Sequence, residues 1–313
     1  MISVIARDAD PNAIFAPDGL ARLAHDHLLS AFHPVNQGQG TAYVATRLLA
    51  PLAAALPHHE VRTDIALKGQ FKGEEWTASS GHLLGRFIAP LFGIAPTGRV
   101  IWLRFGCFQR WREGRVAETI LILDLPSLMI QGGCWPLAVP LGPDLIAPAP
   151  RTGRALWPSG EGSDGLVIVE GMIGGLMRFD GSLKTMNMRD YFAEDFWWLG
   201  PAPIGCLRGF DDYYRGHATP FLTAFPDRVG GNHRARFGNG EFVASTGWPS
   251  ITATHKGDGW LGLAATDRPI TMRVMDFWRA ENGLLVENWV MIDIPEVLQQ
   301  LGIGLFAAGS SGD

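Results

Sequence analysis

The chain has 313 residues, 47% of them hydrophobic and 18% charged, a balance that excludes a disordered chain and supplies apolar material for more than one core. A net charge of −5 and a pI near 6.0 leave no basic footprint, which argues against a nucleic-acid partner. Cys107, Cys134 and Cys206 show no paired spacing, so neither a disulfide framework nor a zinc site is suggested, and with no long apolar run or export-type amino terminus the expectation is a cytoplasmic protein with no membrane contact.

The first periodic segment follows Asp18, where Leu20, Leu23, Ala24 and Leu28 stand at helical spacing and Asp18 is placed to cap. Gln37 to Gly40 interrupts it. A second helix is predicted over 41–56, with Val44, Leu48, Leu49 and Leu52 on one side and Pro51 bending it. From Glu60 the texture turns β-rich, and 61–68, 75–82, 100–111 and 115–124 read as antiparallel strands. Six prolines within 135–164 mark a semi-rigid linker. A helix over 166–179, a strand over 195–199 and a helix over 209–225 come next. Strands over 233–237, 241–255, 269–279 and 284–293 complete the run. Each strand run ends in a short helix begun by Pro126 or Pro295.

The order repeats, and so do the residues. GRVAETILILD at 114–124 returns as GLLVENWVMID at 283–293, an offset of 169 that also matches Arg104, Phe108 and Arg110 with Arg273, Phe277 and Arg279. Helices leading into strands, written twice, predict an α+β chain with domains at 1–134 and 165–313 joined by the linker at 135–164.

Pro96-Thr97-Gly98-Arg99, its counterpart Thr266-Asp267-Arg268 and the closing Gly…Glu…Trp…Asp strand resemble the SnoaL-like polyketide cyclases, within the nuclear-transport-factor-2-like superfamily, over 18–133 and 166–302. The resemblance implies two tandem cone-shaped α+β barrels, each with N-terminal helices packed on a strongly curved antiparallel sheet around one deep apolar pocket. It implies a cyclase or related acid/base enzyme for a hydrophobic, cyclic or aromatic small molecule. The alternative is a non-catalytic binding or scaffold protein of the same fold. The family's EHW…D pattern reads here as Glu287-Asn288-Trp289…Asp293, with Asn in place of His. By resemblance Asp293 is the acid/base of an intramolecular aldol closure and Asp124 its weaker counterpart. Limonene-epoxide-hydrolase-like members, also similar, use an Asp there too, but their Arg-x-Asp strand motif is missing.

A carboxylate closing an apolar strand gains a raised pKa by desolvation and so suits proton transfer. On a period of two, Glu287, Trp289, Met291 and Asp293 share one side. The competing reading is that Asp293 and Asp124 cap the short helices behind them. On the preceding strand Arg273 and Asp276, matched by Arg104 and Cys107, complete the catalytic candidates with His233. Arg273 would hold an oxyanion or simply pair with Glu287. His233 alternates with Ala235 and Phe237, and acts as acid or base or only closes a strand; His27, His58 and His59 read as structural. Trp198, Trp248, Trp278 and Trp289, with Asn288, would wall a pocket for a planar ligand. No His, Asp or Glu set has metal spacing, and no cofactor is implied. The two domains are expected to pair within the chain, with a homodimer left open.

Overall fold

A computed structural model describes residues 13–15, 18–140, 142–143, 146–158 and 164–306. The first half runs α1 (Gly19–Arg22), β1 (Leu23–Ala31), β2 (Gln37–Gln39), α2 (Thr41–Val44), a π-helical turn (Ala45–Leu49), α3 (Ala50–Ala55), β3 (Glu60–Phe71), β4 (Glu74–Arg86), β5 (Val100–Arg112), β6 (Arg115–Leu123) and α4 (Leu125–Gln131). The second runs α5 (Asp164–Leu176), β7 (Phe192–Leu199), β8 (Cys206–Arg208), α6 (Gly209–Tyr213), a π-helical turn (Tyr214–Ala218), α7 (Thr219–Ala224), β9 (Val229–Gly230), β10 (His233–Asn239), β11 (Phe242–Thr254), β12 (Pro269–Glu281), β13 (Leu284–Ile292) and α8 (Ile294–Gln300).

The strand orders β2-β1-β6-β5-β4-β3 and β8-β7-β13-β12-β11-β10 are the same topology twice. Each sheet is mixed rather than wholly antiparallel, because β1 runs parallel to β6 and β7 parallel to β13. The π-helical turns, 169 positions apart, show that the repeat reaches the helices too. The chain is α+β, as expected from its sequence.

The segment after Asp18 corrects the expected helix. Only Gly19–Arg22 is helical, and Leu23–Ala31 is a strand held to β6. Leu20, Leu23, Ala24 and Leu28 imitate a helical stripe, but the strand's central bonds to Glu118, Thr119 and Ile120 override so short a pattern.

Both faces of each sheet are buried, for different reasons. One face packs on the helices of its own half: Val44, Leu48 and Leu52 meet Leu103, Phe105 and Leu121 in the first, and Met172, Tyr213 and Leu222 meet Trp278, Val290 and Ile292 in the second. The opposite faces meet each other across a seam. There Ile65, Leu67, Phe108, Ile120 and Ile122 interdigitate with Ala235, Phe237, Ala244, Phe277, Trp289 and Met291. The proline-rich segment is fastened into this seam. Ala66 donates to the Ala155 carbonyl (3.0 Å), Trp157 returns a bond to Ala66 (2.8 Å), and the Trp289 indole N–H donates to Pro148 (2.8 Å).

Candidate functional site

Strand parity decides which side chains meet a ligand. On β13 the even residues Asn288, Val290 and Ile292 turn toward the helices, and on β12 so do Met272, Val274, Asp276 and Trp278. With α5, the α6–α7 segment and Trp198 they enclose a cavity of about 430 Å3 in the second half, within the range of small-molecule sites. Its walls are mostly Met, Leu, Ile, Phe and Trp, and its polar groups include Asp276, Asn288, Ser245, Ser250, Arg236, Arg228, His233, His217 and Tyr213.

Asp276, Ser245 and Arg236 form one cross-strand row, since Asp276 pairs with Ser245 across β12 and β11, and Ser245 with Arg236 across β11 and β10. Asn288 donates its side-chain amide to Asp276 Oδ1 (3.4 Å) and to the Phe277 carbonyl (3.2 Å). Arg236 Nε donates to Ser245 Oγ (3.3 Å). What remains accessible of Asp276 opens on the cavity rather than on bulk water. Burial therefore pushes its carboxyl up from the ordinary 3.8 to about 7, against the pull of Asn288 and Arg236. A group balanced there can both take and return a proton near neutral pH.

Two histidines line the cavity, and both are held neutral. Burial pushes His233 down to about 4, aided by the charges of Arg236 and Lys72. His217, on the π-helical turn, lies against Trp198 (centroids 4.1 Å apart) and Phe221 (5.4 Å), and burial alone pushes it down to about 3. Its Nδ1 finds no hydrogen-bond partner among the described residues. Burial also pushes the Tyr213 hydroxyl up.

Five of the residues singled out in the sequence thus reach the cavity: Asp276, His233, Asn288, Trp198 and Trp278. His233 arrives by a route its alternation does not predict. Ala235 and Phe237 face the seam, and a bulge between His233 and Ala235 turns the histidine to the other side.

Asp293, Asp124, Arg273, Trp289 and Trp248 do not line it. Asp293 is buried at the seam, where it accepts the backbone N–H of His33 (3.0 Å) from the first half, the N–H of Glu296 (3.4 Å) as cap of α8, and Arg273 Nη1 (3.1 Å). Arg273 also reaches the Ala31 carbonyl (3.4 Å) and Glu296 (3.4 Å), and its guanidinium lies over Trp248 (4.9 Å). Burial pushes the Asp293 carboxyl up to about 7 against Arg273, with Glu296 adding to the rise. Asp124 repeats the arrangement from the other side. It caps α4 through Ser127 N–H (3.1 Å) and accepts Ala202 N–H (3.0 Å) from the second half, while Arg104 donates to the Gly200 carbonyl (2.9 Å). Burial raises Asp124 as well. The cleft beside it measures about 20 Å3, roughly the room of one water. The duplicated Asp and Arg are seam fasteners, because odd positions on β13 face the other sheet.

Arg236, Arg228, Ser245 and His217 escaped the sequence reading. The usable signal for Arg236 was its position between Ala235 and Phe237, whose alternation sends it to the opposite face. Among the described residues no group of three His, Cys, Asp or Glu side chains is placed to hold a metal ion, and no helix is long and apolar enough to cross a membrane.

Residues 181–301, which contain most of the cavity wall, match the SnoaL-like polyketide cyclase family. No curated protein matches the chain. Similar solved structures include IdmH of Streptomyces antibioticus, a proposed polyketide cyclase (22% identity over 45% of this chain and 100% of its own, TM-score 0.36). Another proposed polyketide cyclase, from Acidithiobacillus ferrooxidans, shares 23% identity over 46% of this chain and 97% of its own, TM-score 0.37. An NTF2-like protein of unknown function from Burkholderia pseudomallei shares 18% over 44% and 98%, TM-score 0.36.

Proposed function

We propose that the second half, whose residues 181–301 match the SnoaL-like polyketide cyclase family, is an acid/base enzyme for a hydrophobic, cyclic or aromatic ketone, with Asp276 as its proton-transfer group. The observation that carries this reading is a single carboxyl inside an apolar cavity of about 430 Å3, raised to about 7 by burial. In its ionised form Asp276 removes a proton from carbon beside a carbonyl and later returns it, as a ring closure through an enolate requires. Asn288 holds the carboxyl by its amide, and the negative charge appearing on the substrate oxygen is opposed by the Arg236 guanidinium on the same cross-strand row. Trp198, Trp278 and Phe221 offer flat faces to a ring system.

The first half serves as a filled scaffold of the same topology. Cys107, Gln109 and Leu121 stand where the second half has Asp276, Trp278 and Val290, and Leu48 replaces His217. No acid/base pair survives among these positions.

Exchange of the acidic carbon-bound protons of 2-tetralone with deuterated water, followed by NMR, tests the proposal without the natural substrate. The protein should accelerate exchange, Asp276→Asn should abolish the acceleration, and Asp293→Asn should retain it in whatever fraction stays folded. Exchange unaffected by Asp276→Asn would sink the assignment.

A further inference from the structure

Arg104 aside, which donates to the Leu199 and Gly200 carbonyls near Asp124, the arginines at the seam pair with carboxylates: Arg110 and Arg234 meet Glu118, Arg273 meets Asp293 and Glu296, and Arg279 meets Glu241, Glu281 and Glu287. The two arginines of the cavity wall do not. Among the described residues no carboxylate lies within 4.0 Å of Arg228 or Arg236. Arg228 instead donates to the Leu176 carbonyl (3.1 Å) and lies over the Phe179 ring (4.7 Å). Among the described residues Arg236 bonds only to Ser245 Oγ, and its Nη2 is enclosed with no hydrogen-bond partner.

Partly desolvated guanidinium groups with no carboxylate in contact are expensive, and burial lowers the pKa of both, with Glu170 and Asp276 opposing that for Arg236 only from a distance. Among the described residues the only carboxyl in the wall is Asp276. The wall therefore carries excess positive charge, although the chain as a whole is at −5.

We infer that the ligand of this cavity is an anion, a carboxylate borne on an otherwise hydrophobic ring system, whose charge is received by Arg236 with Arg228 adding to the attraction. This rests on the proposed function in using the same cavity and the same Arg236. A carboxylate accepts two parallel N–H bonds from a guanidinium fork, which suits Arg236, whose remaining N–H groups are uncommitted. An uncharged ester or amide of the same frame fills the apolar walls equally but leaves the excess charge unanswered.

The test compares 2-naphthoate with methyl 2-naphthoate at about pH 6, by calorimetry and by quenching of tryptophan fluorescence. The acid should bind roughly tenfold or more tightly than the ester. Arg236→Met should remove most of that preference and Arg228→Met part of it, with ester binding unchanged or improved. Equal or tighter binding of the ester to the unaltered protein overturns the inference, and so does a preference for the acid that survives both substitutions. The same pair measured on Asp276→Asn separates the two claims. Asp276→Asn that keeps the acid preference but loses deuterium exchange supports both, whereas lost exchange with no acid preference removes only the anion.

Discussion

Asp276 and Cys107 occupy the same place on equivalent strands, β12 and β5, 169 residues apart, and Asp276 faces the cavity of about 430 Å3. Cys107 lies in a core closed by Leu48, Phe105 and Leu121. The fold is shared, and the side chains at a few inward positions differ between the halves.

Asp276 should make the protein less stable as pH rises. Its folded-state pKa of about 7 exceeds the ordinary 3.8, so the folded state binds more protons between those values and stability falls across that window. Asp276→Asn should therefore raise the unfolding free energy at pH 8 by roughly 1–3 kcal/mol and flatten that part of the profile. Urea melts from pH 4 to 8 would show it, and a variant no more stable at pH 8 than at pH 4 relative to the parent would count against a buried, uncompensated carboxyl.

His217 predicts the opposite slope. Its folded pKa of about 3 lies below the ordinary 6.5, so its contribution is complete above pH 6.5 and is lost as the medium is acidified. His217→Phe keeps a ring between Trp198 and Phe221 and removes an unpartnered nitrogen. Stability at pH 7 should hold or rise by about 1 kcal/mol, and part of the acid sensitivity below pH 6 should disappear.

Asp293→Ala should cost stability, not ligand binding. It strips Arg273 of a carboxylate, leaves the His33 N–H unanswered and uncaps α8. A loss of about 3–5 kcal/mol is expected, and Asp124→Ala should behave similarly through Ala202 and Ser127. Naphthoate affinity at a temperature where each variant is folded should match the parent, and a selective loss of affinity would return these acids to the site.

Val274→Trp places a large ring inside the cavity, on the same strand face as Asp276. Naphthoate binding should fall beyond detection, while the melting temperature stays level or rises as apolar contacts are gained. Unchanged affinity would mean that the ligand sits elsewhere.

The repeat, the α+β class and most strands were legible because glycine turns and β-rich runs recur at fixed spacing. The working face of β13 was not. Where one face of a sheet is solvated, alternation identifies the other as core, but here both faces are covered and the strand reads LLVENWVMI without a polar side. Asp293 and Asn288 then look equally inward, and only the facing sheet of the first half, which packs on Trp289 and Met291, shows that these odd residues belong to the seam. The β10 bulge that redirects His233 leaves no mark in HRARFGN. Arg236 needed three-dimensional neighbours to reveal that it lacks a carboxylate.

The seam joins halves that are covalently continuous, so their association cannot be reversed by dilution. In an assembly of identical chains, any substitution appears on both sides of the axis at once, and a change that opens one chamber opens its twin. Here the partners are encoded separately. One can accumulate bulky residues and become a permanent buttress while the other loses them and gains chemistry, with neither constrained to copy its neighbour.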